Sequence, residues 1–137
     1  MTKTIKLLTV LMAILAVTRC GEKVVDPDQT VKRGGLLYEV HSETPFTGKV
    51  VSYYHNDQKS GEGEFRDGKP HGKMTKWYED GQKKVASEFR DGEVYGTLTE
   101  WYENGQKKAE EEFLDGEWIS RKCWDKNGKP IDCPDLF

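Results

Sequence analysis

The chain has 137 residues, enough for one domain, with a net charge of −3 and one third of its side chains charged. Three of its 21 basic residues fall within residues 1–20, leaving 18 against 24 acidic groups beyond them, a net −6. A mildly acidic, mixed-sign surface argues against non-specific binding to nucleic acid or to anionic bilayers.

The first predicted element is a secretory signal over residues 1–20, in helical form. Lys3 and Lys6 precede an apolar run from Leu7 to Val17, and no acidic residue appears before Glu22. The run is short of the roughly 20 apolar residues that a membrane-spanning helix needs. Cys20 follows directly. The stretch Leu15-Ala16-Val17-Thr18-Arg19-Cys20 resembles a bacterial lipoprotein signal, in which the cysteine becomes the lipidated first residue. Arg19 departs from the small residue usual there. Lipidation at Cys20 is the leading expectation. Cleavage near Ala16 or Thr18 to give a secreted protein, and an uncleaved anchor, stay open. Either of the first two makes the protein exported, and the first places it in the cell envelope on a membrane.

Residues 21–35 are polar and contain Pro27; they are expected to form a flexible tether. A repeat domain is expected over 36–137. Leu36-Leu37-Tyr38-Glu39-Val40 has strand character, and residues 36–47 form a degenerate first copy. Three full copies follow at about 48–71, 72–95 and 96–119. Trp77-Tyr78-Glu79-Asp80-Gly81-Gln82-Lys83 returns 24 residues later as Trp101-Tyr102-Glu103-Asn104-Gly105-Gln106-Lys107, and Glu64-Phe65-Arg66-Asp67-Gly68 returns at 88–92 and 112–116. A fixed period of this length means one supersecondary unit stacked on copies of itself. Asp80-Gly81 and Asp91-Gly92 are turn pairs bounding two strand-length runs, so each copy is a β-hairpin. Asn56-Asp57 replaces the first turn glycine in the earliest copy, where a weaker or different turn is expected. Gly48, Gly72 and Gly96 open the copies and suggest bulges.

The fold class is therefore all-β: tandem hairpins in a single elongated, twisted antiparallel sheet. Stacking builds three aromatic columns: Tyr53, Trp77 and Trp101; Tyr54, Tyr78 and Tyr102; Phe65, Phe89 and Phe113. Residues 120–137 keep a shortened repeat skeleton and form the C-terminal cap. Once Cys20 is set aside, Cys123 and Cys133 remain, and a pair in an exported domain suggests a disulfide.

No catalytic constellation is found. His41, His55 and His71 lie on different copies without metal-ligand spacing, Asp125-Lys126-Asn127-Gly128 lacks the rest of a calcium loop, and Glu110-Glu111-Glu112 alternates along a strand. A non-enzymatic protein with no cofactor, metal, nucleic acid or small-molecule substrate is expected. Binding is the better class, because a one-layer sheet has few ways to hide its aromatics. The candidate binding residues are Tyr53, Trp77 and Trp101 taken together with Phe65, Phe89 and Phe113, or else the opposing Tyr54, Tyr78 and Tyr102. The bland alternative is that these columns only hold the stack.

Trp-Tyr-Glu-Asn-Gly-Gln-Lys-Lys at 101–108, its copy at 77–84, the Phe-x-Asp-Gly-x-x-x-Gly spacing at 65–72 and 89–96, and the lead-in Pro45-Phe46-Thr47-Gly48 resemble MORN repeats. More narrowly, they resemble the bacterial YwqK-type antitoxin repeat. The resemblance covers roughly residues 36–130. It implies consecutive hairpins in one sheet and a scaffold that binds a protein, either a toxin-like or an envelope partner. A structural envelope repeat, or a lipid-associated one, is the alternative.

Overall fold

The computed structural model describes residues 21–134. The signal segment and Cys20 lie outside the described residues. Eleven strands and a single 3-10 turn, Pro27–Gln29, make up the described chain. Strands β1 (Val24–Val25), β2 (Thr30–Arg33) and β3 (Leu36–Glu39) precede the repeats. Then follow β4 (Gly48–Tyr53), β5 (Lys59–Arg66), β6 (Lys69–Trp77), β7 (Lys83–Arg90), β8 (Glu93–Trp101), β9 (Lys107–Leu114), β10 (Glu117–Trp124) and β11 (Pro130–Ile131). From β4 to β11 every strand pairs antiparallel with the next, within an open nine-stranded sheet whose other end is β1. The all-β stack of tandem hairpins is thus the architecture.

Two kinds of turn repeat along it. Asp67-Gly68, Asp91-Gly92 and Asp115-Gly116 hold positive φ at both residues, 49° and 79° in the first pair. That is the signature of the two-residue type I′ turn, whose twist matches the flanking strands. The longer turns begin at the tyrosines. Tyr78 N–H donates to Gln82 O at 2.8 Å, and Gly81 N–H back to Tyr78 O at 3.0 Å. In the earliest copy Asp57 takes φ 61° and its N–H donates to Tyr54 O, so the turn keeps its form without the glycine. Asn56 supports it by accepting the Gln58 N–H at its side-chain oxygen, 3.1 Å away. Gly72, at φ 93°, lies where the β5–β6 register shifts between Gly63–Met74 and Phe65–Pro70, the bulge that a strand glycine announces.

The N-terminal part corrects two expectations. Residues 21–35 are not a tether. β1 pairs in parallel with β4, Val24 beside Lys49 and Val25 beside Val50, and Lys49 N–H donates to Lys23 O at 2.7 Å. The degenerate copy does not join the large sheet as a further hairpin either; β3 pairs with β2 in a separate two-stranded sheet. The physical cause is one small core. Val25, Leu37 and Phe46 are buried together, with Val50 and Phe65 packed against them. Burying those side chains outweighs the polar character of the segment that carries them. Main-chain bonds fix the seam: Leu37 N–H to Gly68 O, Phe46 N–H to Leu37 O and Gly68 N–H to Phe46 O, each 2.8 Å.

Candidate binding face

Register and alternation sort the repeat side chains onto two faces. Gly72 stands opposite Phe89, Met74 opposite Ser87 and Lys76 opposite Val85. These residues share one face, as do Val50 with Gly63 and Gly96 with Phe113. Trp77 follows Met74 by three residues on the same strand and so points the other way. The Phe65–Phe89–Phe113 column and the Tyr53–Trp77–Trp101 column therefore lie on opposite faces, which corrects the expectation that they act together.

The phenylalanine face is concave and apolar over its N-terminal half. A groove of about 440 Å³ opens there, lined by Leu37, Val50, Phe65, Met74, Phe89 and Leu98. Val50, Met74 and Leu98 recur at the repeat spacing, so each copy contributes the same wall. The floor is low because β5 carries glycine at 61 and 63. A Cβ at Gly63 would stand 2.8 Å from the Met74 methyl and 3.3 Å from the Phe65 ring. The C-terminal half of the face is charged. Glu111 and Arg121 stand opposite each other, with Nε to Oε1 at 3.4 Å and side chains 15% and 12% exposed. That distance allows charge pairing, but the Arg121 Nε and Nη1 make no hydrogen bond among the described residues. The face thus offers an apolar trough ending in a screened ion pair.

The tryptophan face is polar. Lys49 lies 3.4, 3.7 and 3.9 Å from Glu22, Glu62 and Glu64. Burial alone would lower the Lys49 ammonium, but Glu62, Glu22 and Glu64 together raise it above the usual lysine value. The bond from Lys59 holds Glu62 below the ordinary carboxylate range against its partial burial, and Lys49 adds to that. Lys59 also stands 5.8 Å from the centre of the Trp77 ring, and Lys107 5.5 Å from that of Trp124. Trp77 and Trp101 are half-buried, whereas Tyr53 is exposed.

The Tyr54–Tyr78–Tyr102 column stitches the copies together. Each hydroxyl donates to a carbonyl one repeat on: Tyr54 to Trp77 O at 2.7 Å, Tyr78 to Trp101 O at 2.8 Å and Tyr102 to Trp124 O at 3.0 Å. Burial, with the Glu103 charge adding, raises the Tyr78 phenol above its usual value and keeps it a donor. Replacing Tyr78 by phenylalanine strands a part-buried carbonyl. It is expected to cost about 1 kcal/mol in urea denaturation; an unchanged midpoint would show that the rung carries no stability.

Cys123 and Cys133 are joined by a disulfide, with their Cα atoms 5.2 Å apart. Among the described residues no cluster of three histidine, cysteine or acidic side chains could hold a metal ion. Sequence reasoning passed over Val50, Met74 and Leu98 as a lining, although their 24-residue recurrence was the available signal, and over Val85, which no such recurrence marks. It also passed over Leu114, Trp118 and Ile119, all exposed at the last repeat turn.

Compared with families of known proteins, residues 70–91 and 94–115 match the model of the MORN repeat variant. These two central copies are thus MORN-like repeats. Neither the curated proteins nor the solved structures contain a match.

Proposed function

We propose that this MORN-like protein is a non-enzymatic binding scaffold that holds a protein partner against the groove of its phenylalanine face. The observation that carries the reading is the groove itself. It is open, lined by apolar side chains from successive copies, and set beside a tryptophan face whose lysines and glutamates pair with one another. Apolar surface left open on a one-layer sheet is the usual mark of a docking site. In the fuller form of the proposal the protein is exported and anchored to a membrane of the cell envelope through a lipid on Cys20. The partner is an envelope or toxin-like protein, the latter giving an antitoxin or immunity role of the kind the repeat resemblance implies. The apolar lining also favours a second reading, a structural or lipid-associated envelope repeat without one specific partner.

Affinity capture from envelope and secreted fractions of the source cell separates the two. The proposal expects one protein retained in stoichiometric amount, and at least a tenfold loss with Met74→Glu or Leu98→Glu, which place a charge in the trough. Mixed envelope material, recovered equally by both variants, supports the structural reading and contradicts the proposal.

A further inference from the structure

Strand β10 leaves most of one edge without a partner strand among the described residues. β9 lies along one side from Glu117 to Cys123, while β11 meets only Cys123 and Trp124 on the other. Beside this open edge Leu114, Trp118 and Ile119 are 61%, 54% and 52% exposed. The same repeat position is covered in the earlier copies: Phe46 is 3% exposed, and Pro70 and Val94 are half-buried. The following turn reaches back over two of them, with Gly68 N–H donating to Phe46 O and Gly92 N–H to Pro70 O. No described turn does this for Trp118. An unguarded strand edge with large apolar side chains is a template for pairing with another strand.

We infer that this edge joins two copies of the chain, with β10 antiparallel to β10 over Glu117–Lys122. The segment Glu117-Trp118-Ile119-Ser120-Arg121-Lys122 is complementary to itself in that direction. Glu117 falls opposite Lys122 of the second copy, and Trp118 opposite its Arg121. The faces agree. Trp118 pairs with Phe113 and Arg121 with Glu111, both on the phenylalanine face; Glu117 pairs with Leu114 and Lys122 with Glu110, on the other. Lys122 can turn to that edge, because its side chain is 62% exposed and its ion pair with Glu112 is loose, at 3.9 Å. Parallel pairing would instead set Glu117 against Glu117 and Lys122 against Lys122, which is unfavourable directly across a ladder. The bulge between Trp118 and Ser120 falls at the middle of the paired segment, so the two copies present the same kink to each other. β11, held by the Cys123–Cys133 bond, blocks the edge beyond Lys122 and so excludes registers slipped toward it, while slips the other way shorten the paired segment and separate Glu117 from Lys122. The contact is isologous and closes as a dimer. It sets both grooves on the same side of one continuous sheet, a bivalent arrangement for whatever binds there.

Sedimentation equilibrium of the purified full chain tests this across a range of concentrations. A monomer–dimer equilibrium is expected. Glu117→Lys and Lys122→Glu should each weaken it at least tenfold, and the double exchange should restore most of the affinity. Circular dichroism should give an unchanged β signal for all three variants. Two results would overturn the inference: a dimer indifferent to the single reversals, or single reversals that the double exchange does not rescue. A monomer at every concentration also overturns it.

Discussion

Replacing Phe46 with alanine is expected to lower folding stability by about 3–4 kcal/mol, the range for deleting a buried aromatic ring. Among the described residues Phe46 is the one aromatic side chain that is buried. It is 3% exposed, it joins Val25 and Leu37 in the small N-terminal core, and its ring centre lies 6.3 Å from that of Phe65. Its main chain also bridges the two sheets, giving its N–H to Leu37 O and taking one from Gly68. The cavity therefore opens at the seam between the β2–β3 hairpin and the repeats. Urea denaturation followed by tryptophan fluorescence and by circular dichroism should give a lower midpoint. Phe113→Ala, at an open half-buried site in the last copy, should cost clearly less. Equal losses at the two positions would mean that the N-terminal core is not the main packing unit.

The second large effect concerns the other end. Removing the disulfide by Cys123→Ala with Cys133→Ala should cost about 2.5–3 kcal/mol, the loop-closure value for so short a cross-link. The loss should be local at first. β11 holds to β10 through two residue pairs only, and Tyr102 reaches the same end through Trp124 O. Hydrogen exchange should rise in β10 and β11 while β5–β7 stay protected. Uniform loss of protection along the repeats would show instead that the cap stabilises the whole stack cooperatively, and no change in either region would show that the bond contributes nothing.

Much of this fold was legible in the sequence because its determinants are local. The Asp-Gly pairs specify their turns by backbone conformation, and the 24-residue period places each hairpin beside the next. What was not legible depends on partners distant in the chain. Val24 and Val25 form too short a run to announce a strand, and Val25 is buried only because Leu37 and Phe46 come to meet it. Trp118 occupies the position of Val94, and among the described residues no turn bonds back over it as Gly68 does over Phe46, so its exposure does not follow from its own identity. The three columns align, yet their distribution over two faces requires counting alternation from a known pair such as Met74–Ser87. The groove lining was visible as Val50, Met74 and Leu98 at one spacing, but the larger aromatics drew the attention.

The central claim is that the phenylalanine face, not the tryptophan face, receives the partner. Ser87 and Glu88 are neighbours on β7 that point to opposite faces, Ser87 into the groove across from Met74 and Glu88 outward across from Lys73. A photo-activated cross-linking residue placed at each position in turn, and irradiated in intact cells, reads the two faces separately. A discrete adduct from position 87, absent from position 88, is the predicted result. An adduct from position 88 alone, or from neither, would contradict the account.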